Sequence, residues 1–166
     1  MKVIFLDHFG VMCLANKHGI ENSKEDLPRL SEFRVTDKFD DFDKEAIVIL
    51  NSIIKNDVEI VVSSDWKRWC NLEDMRKFYI SQGITKAPID FTPFFNKISK
   101  VKDILTIQQQ RALEISNWID THNDLTHWVA IDDLYLGDLK NFVWVSKTDE
   151  GIKQNGIKDK LLKFLS

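Results

Sequence analysis

The chain has 166 residues, of which 43% are hydrophobic and 30% charged, as is typical of one globular domain with a sizeable core. Its net charge of -3 argues against a broad nucleic-acid-binding surface, although it is compatible with a local basic pocket for a phosphate. Cys13 and Cys70 suit a reducing compartment, and the apolar run at 3–6 is too short for a signal peptide or a membrane span. We therefore expect a single cytoplasmic domain over 1–166, with no membrane attachment.

The first half of the chain begins with an apolar run rich in β-forming residues at 2–6, which predicts a strand buried on both faces. The stretch 13–41 is polar and weakly patterned, and we interpret it as a flap or a small cap over a site. Apolar residues at helical spacing then predict a helix over roughly 43–56. The apolar run at 58–62 predicts a second buried strand.

Helices and strands continue to alternate in the second half of the chain. Leu72, Met75 and Tyr79 mark a helix that Gly83 ends, and the following stretch has room for a short strand. The remaining predicted elements are a helix at 108–121, strands at 128–131 and 142–145, and a C-terminal helix with Ile157, Leu161, Leu162 and Leu165 on one side.

This alternation predicts the fold class. Strands that alternate with helices form right-handed crossovers, which place parallel strands in one sheet and helices on both of its faces. We therefore expect a three-layer α/β, Rossmann-like domain with a small or absent cap. In open sheets of this kind, ligands bind beyond the carboxyl ends of the strands, so the residues after each strand are the candidates for a functional site.

Polar residues follow three of the predicted strands. The first strand is followed by Asp7, the second by Ser63, Ser64 and Asp65, and the third by Asp132 and Asp133. Carboxylates brought together repel each other, and a bound Mg²⁺ offsets this repulsion because it prefers oxygen ligands. Asp7 can then serve as ligand and nucleophile, while the hydroxyl and a backbone N–H at Ser63 bind a phosphate oxygen.

A phosphoryl group in transfer needs positive charge beyond the metal. Arg111 is the best candidate, because it opens the helix that leads into the strand at 128–131. Lys97 and Lys100 are the alternatives.

The motifs in this order resemble the haloacid dehalogenase-like (HAD) superfamily: VIFLDHFGV, IVVSSDW, Arg111 on a helix, and WVAIDDLYL. More narrowly, RALEISNWIDTH, HWVAIDD and the later VSKTDEGI look like the small HAD domains associated with bacterial and phage nucleic-acid repair. The resemblance implies a Mg²⁺-dependent phosphomonoesterase that works through an aspartyl-phosphate. Its substrate would be a phosphorylated small molecule, a nucleotide or a nucleic-acid end, and the small cap implies an open cleft that admits bulky substrates.

The resemblance also implies a role for each candidate site residue. The family positions correspond to Asp7 as nucleophile and metal ligand, Ser63 or Ser64 as phosphate-binding hydroxyl, Arg111 as the basic residue, and Asp133 as metal ligand with Asp132 beside it. The residue two after the nucleophile, Phe9, contributes its backbone carbonyl to the metal.

Phe9 departs from the family pattern, because the related phosphatases commonly carry there an aspartate that protonates the leaving group and then activates water. Loss of a positioned acid–base group costs about 100- to 10,000-fold in rate. Three outcomes stay open: His8 substitutes, the enzyme is slow or limited to good leaving groups, or the site binds phosphate without turnover. We expect His8 to face away from the site, because neighbouring side chains of an extended strand alternate.

Three further interpretations complete the prediction. A metal-independent dehalogenase also fits an aromatic residue at Phe9, but it leaves Asp132 and Asp133 without a purpose. Trp66 and Trp69 are the tryptophans expected to line a cleft. A basic cluster is interpreted as a solvated face, or as a guide for an anionic substrate, and comprises Lys67, Arg68, Arg76 and Lys77.

Overall fold

The computed structural model describes residues 1–15, 39–55, 57–98, 105–137 and 139–166. Within these ranges it contains a five-stranded parallel sheet in the order β3-β2-β1-β4-β5. The strands are β1 Lys2–Leu6, β2 Val58–Val62, β3 Asp90–Phe91, β4 His127–Asp132 and β5 Phe142–Trp144. The predicted class of a Rossmann-like parallel sheet with helices is confirmed, whereas most of the flap predicted at 13–41 lies outside the described residues.

Helices connect β1 to β2, β2 to β3 and β3 to β4, and a last helix follows β5. Their bounds fall within a few residues of the prediction, except that the sequence pattern did not predict the short helix at Phe95–Ile98. They are α1 Lys44–Ile54, α2 Leu72–Ser81, α3 Phe95–Ile98, α4 Ile107–Asp120 and α5 Ile157–Leu165, with 3-10 turns at Asp65–Arg68 and Gly151–Lys153. Side chains cap several of these helices at the N-terminus. Thr106 and Gln109 form a capping box that fixes the start of α4, the helix that carries Arg111. Within the described ranges, none of the helices combines the length and the apolar character needed to span a bilayer.

The central strands bury side chains on both faces of the sheet, because successive side chains of a strand point in opposite directions. Leu6 and Val62 pack into the larger core cluster, which also contains buried residues of α1, α2 and α5. Val3 and Phe5 pack on the other face, in a cluster with Trp118 of α4. The sheet is thus covered on both faces, as the continuous apolar runs predict.

The register of the sheet aligns the carboxyl ends of the three central strands. Leu6 of β1 pairs with Val62 of β2 on one side and with Ile131 of β4 on the other. The backbone pairing extends one residue further, since Asp7 N–H donates to the Ile131 carbonyl at 3.2 Å and Ser63 N–H donates to the Leu6 carbonyl at 2.9 Å. The strand order also reverses at β1, and the crevice at such a reversal is where open α/β sheets bind ligands.

Candidate active site

Three carboxylates meet at the carboxyl edge of the sheet. Asp7 follows β1, Asp132 ends β4, and Asp133 comes directly after it. One oxygen from each carboxylate lies within 4.8 Å of the others. Asp7 and Asp132 are buried, with only 5% and 1% of their surface exposed, so water screens their repulsion poorly.

Arg111 lies between two of these carboxylates. Its Nη1 atom donates to Asp132 Oδ2 at 2.9 Å and lies 3.3 Å from Asp7 Oδ1. The same atom donates to the backbone carbonyl of Ser63 at 2.7 Å, which joins α4 to the end of β2. Sequence spacing predicts that this helix residue reaches the sheet edge, and the structure brings it there.

The two neighbouring carboxylates at the end of β4 differ in their hydrogen bonding. Both oxygens of Asp132 are engaged, because Oδ2 accepts from Arg111 and Oδ1 accepts from the Leu134 N–H at 2.8 Å. The Asp133 carboxylate, by contrast, has no hydrogen-bond or ion-pair partner within the described residues. A divalent cation prefers carboxylate oxygens that are available, so Asp133 is the better placed of the pair to bind one.

The hydroxyls after β2 also differ. Ser63 is 1% exposed, and its Oγ atom has no hydrogen-bond partner among the residues that the structure describes. A buried hydroxyl without a partner is costly, which makes Ser63 a suitable donor to a bound oxyanion. Ser64 directly precedes the 3-10 turn but makes no side-chain capping bond, and its hydroxyl lowers the pKa of Asp7.

Burial and like charges oppose ionisation of these acids. Burial raises the pKa of Asp7 to about 6; Asp133 acts in the same direction, whereas Arg111 opposes the shift. Burial raises the pKa of Asp132 well above its usual range, and the nearby Asp7 adds to the effect. A cation bound between the carboxylates would favour their charged forms.

A tight loop after β1 closes the site on one side. Gly10 has φ +72°, a conformation that favours glycine, and a Cβ atom there would lie 2.9 Å from the Asp133 side chain. The His8 carbonyl accepts backbone hydrogen bonds from the following turn, with distances from 2.8 to 3.2 Å. The Phe9 carbonyl takes none from the described backbone, and its side chain is 49% exposed.

His8 lies on the opposite side of the loop from the carboxylates, as the alternation of the strand predicts. It is fully buried against the rings of Trp66 and Tyr79, and its Nε2 atom is 2.7 Å from the Tyr79 hydroxyl. Burial lowers the pKa of His8 to about 3, so the imidazole is neutral at physiological pH. A neutral, turned-away histidine cannot donate a proton at the carboxylate site.

The interpretation of Lys67 as part of a solvated basic face is wrong. Lys67 is only 4% exposed, and its Nζ atom lies 2.5 Å from Glu114 of α4 and 2.9 Å from the Thr92 hydroxyl. Burial lowers the pKa of Lys67, and Glu114 acts in the opposite direction. The pair ties the 3-10 turn to α4, and the buried ammonium group also donates to the backbone carbonyls of Thr92 and Pro93.

The other basic and aromatic candidates have different surroundings in the structure from those of Lys67. Arg76 donates to the backbone carbonyls of Pro88 and Ile89, so it holds a loop together. Lys97 is exposed beside the ring of Phe94, 5.6 Å from its centroid, whereas Lys100 lies outside the described residues. Trp66 packs into the core beside His8 rather than lining a cleft.

The sequence analysis missed Glu114, and it placed Asp65 at the carboxyl edge without assigning it a role. Glu114 lies three residues after Arg111, and two opposite charges on the inner face of one helix are the signal that could have revealed it. Asp65 Oδ2 lies 3.5 Å from Arg111 Nη2, at the exposed rim of the site.

The parallel sheet carries Asp7 after β1 and Asp132 and Asp133 at the end of β4, with the Arg111 guanidinium of α4 between these acids. This fold and this site define a HAD-like domain of the phosphatase type. A family model described as "HAD domain in Swiss Army Knife RNA repair proteins" matches residues 3–155. The chain therefore belongs to this family of HAD domains. Searches of curated proteins and of solved structures found no match to the chain.

Proposed function

We propose that the protein is a Mg²⁺-dependent phosphohydrolase that removes a terminal phosphate from RNA, with Asp7 as the nucleophile. The observation that carries this proposal is the Arg111 guanidinium, which joins Asp7 to Asp132 beside a Ser63 hydroxyl that has no partner among the described residues. These groups together offer a nucleophile, a cation and an oxyanion donor within one crevice. The substrate class follows from the RNA repair proteins named in the family description.

The donor set fits a magnesium ion. Asp7 and Asp133 offer carboxylate oxygens, and the Phe9 carbonyl is free of backbone hydrogen bonds within the described residues. Such hard oxygen ligands suit Mg²⁺, which keeps water and substrate oxygens as its remaining ligands. When bound, the ion would offset negative charge on the phosphoryl oxygens.

Asp7 supplies the covalent chemistry. One of its oxygens attacks the phosphorus, and the P–O bond to the ribose oxygen breaks with its electron pair remaining on that oxygen. Arg111 and the Ser63 hydroxyl stabilise the charge on the non-bridging oxygens. Water then attacks the phosphorus of the aspartyl-phosphate, and inorganic phosphate leaves while the Asp7 carboxylate is regenerated.

Phe9 makes both steps slow. The departing ribose oxygen must take its proton from water, because neither Phe9 nor the buried His8 can supply one. The attacking water likewise has no carboxylate at position 9 to receive its proton. We therefore expect low turnover on ribose phosphates, and faster formation of the aspartyl-phosphate from acetyl phosphate, whose carboxylate leaving group needs no proton.

A second candidate function is phosphate binding without turnover. The half-exposed Phe9 favours it, because an apolar ring occupies the position where a proton-transfer group is needed. A metal-independent dehalogenase is the weaker proposal, since the Asp133 carboxylate, which has no partner in the described part of the chain, contributes nothing to that reaction.

Phosphate release distinguishes these functions when measured with Mg²⁺ on acetyl phosphate and on 5′- and 3′-phosphorylated oligoribonucleotides. We expect Asp7→Asn to abolish release, and Phe9→Asp to increase release from RNA by about 100- to 10,000-fold. The increase should be smaller on acetyl phosphate, because its leaving group needs no acid.

Asp120→Asn is the matched control, because this exposed carboxylate lies at the far end of α4. Wild-type activity that survives Asp7→Asn would contradict the proposed nucleophile. Activity that occurs only in Phe9→Asp would support the binding function instead.

A further inference from the structure

Two large aromatic side chains are exposed beside the acidic edge of the sheet. Tyr135 is 62% exposed and follows Asp133 by two residues, while Trp144 ends β5 and is 47% exposed. Their ring centroids are 5.3 Å apart, with the ring planes at 75°. Trp144 also pairs in register with Asp132, which places this aromatic pair at the same end of the sheet as the carboxylates.

The aromatic pair is held in place despite its exposure. The Trp144 indole N–H donates to the backbone carbonyl of Asp133 at 2.9 Å, which couples the ring to the proposed metal ligand. The Tyr135 ring packs edge-on against Phe142 and lies over Gly137, where a Cβ atom would collide with the ring. Rings fixed in this way lose little conformational entropy when a ligand binds.

Exposed aromatic rings at a fixed position suit one kind of contact particularly well. Single-stranded nucleic acid is commonly bound by stacking its bases on aromatic rings, since every base has a π face. Tyr135 also lines a pocket of about 200 Å³ against the start of α4, one wall of which is the exposed Gln108. The Gln108 amide can both donate and accept, so it offers a hydrogen bond to the edge of any base.

We propose that Tyr135 and Trp144 form a stacking site for the terminal nucleobase of a single-stranded RNA end whose phosphate occupies the carboxylate site. The inference rests on the proposed function for the position of the phosphate. It adds that the protein recognises the base next to that phosphate, without dependence on its identity. Stacking is sequence-tolerant, as befits a site that acts on RNA ends of any sequence.

The test measures the affinity of a phosphorylated oligoribonucleotide that carries either a normal or an abasic terminal nucleotide. Every protein carries Asp7→Asn, so that no phosphate is released during the anisotropy titration. We expect the base to tighten binding by about 5- to 150-fold, and Tyr135→Ala to remove most of this difference. Tyr135→Phe should retain it, because the ring remains, whereas Tyr135→Leu should lose it.

The matched control is Ile80→Ala, which alters an exposed apolar residue at the end of α2 distant from the carboxyl edge of the sheet. Equal affinity for the normal and abasic ends overturns the stacking site, and so does an equal base effect in Tyr135→Ala and in the parent protein. A failure of the proposed function gives a different result. The protein with Asp7 intact would then release no phosphate in the presence of Mg²⁺, while the affinity difference between normal and abasic ends would remain.

Discussion

Helix α4 presents two buried charged side chains, Arg111 and Glu114, whose surroundings differ. Glu114 belongs to a closed cluster: one carboxylate oxygen faces the Lys67 ammonium group and the other accepts from the Phe95 N–H at 2.7 Å. Lys67 also donates to the Thr92 hydroxyl and to nearby carbonyls. Charge is balanced in this cluster, and its polar atoms are paired with one another.

Arg111 belongs to an open cluster. The guanidinium faces Asp7 and Asp132, with Asp133 close by, so negative charge is in excess. The Ser63 hydroxyl and the Asp133 carboxylate lack partners within the part of the chain that the structure describes. The comparison separates two uses of buried charge, because the closed cluster joins structural elements while the open cluster has capacity left for a ligand.

The largest expected effect comes from breaking the closed cluster. Lys67→Met leaves Glu114 buried without its counter-charge, so we expect unfolding free energy to fall by about 3–5 kcal/mol. Urea denaturation measures this loss. The control is Lys77→Met, since Lys77 forms an exposed pair with Glu73 at 3.6 Å and its loss should cost no more than about 0.5 kcal/mol. Similar losses in both variants would contradict a structural role for the closed cluster.

Binding of Mg²⁺ in the open cluster should give the next largest change in the free energy of unfolding. Mg²⁺ at a free concentration of 100 times its dissociation constant should stabilise the protein by about 2.7 kcal/mol, because the ion binds the folded chain and not the unfolded one. Thermal denaturation with and without Mg²⁺ measures the change. Lack of any stabilisation across a Mg²⁺ titration would argue against a metal site at these carboxylates.

The pH dependence of the metal-free protein gives a smaller effect. The pKa of Asp7 is raised to about 6, so between its unfolded and folded pKa values the folded chain binds more protons. The contribution of Asp7 to the free energy of unfolding therefore falls as pH rises, by about 1 kcal/mol between about pH 5 and pH 6. Denaturation in EDTA should show this slope in the wild type relative to Asp7→Asn. Identical slopes in the two proteins would exclude a raised pKa at Asp7.

The smallest expected effect comes from relieving the excess charge. Asp133→Asn removes a carboxylate that repels Asp7, so the metal-free protein should gain about 0.5 kcal/mol. The same variant should lose its response to Mg²⁺, because a proposed ligand is gone. A variant that keeps the full stabilisation by Mg²⁺ would remove Asp133 from the proposed ligand set.

Local sequence patterns were enough to predict the sheet and the edge at which the site lies. The strand pattern places Asp7, Ser63 and Asp132 at strand ends because each apolar run stops at a polar residue. Parallel pairing then brings those ends together without further information. The helical spacing before β4 likewise predicts that Arg111 reaches the same edge.

The tertiary structure alone decided which charges are buried and which rings are exposed. Lys67 belongs to a basic run in the sequence, yet it is buried because Glu114, 47 positions later, lies opposite it. Tyr135 and Trp144 belong to apolar segments, yet both are exposed because they lie where the sheet ends. The physical reason is that periodicity reports local geometry, whereas the cost of burying a charge depends on partners supplied by distant parts of the chain.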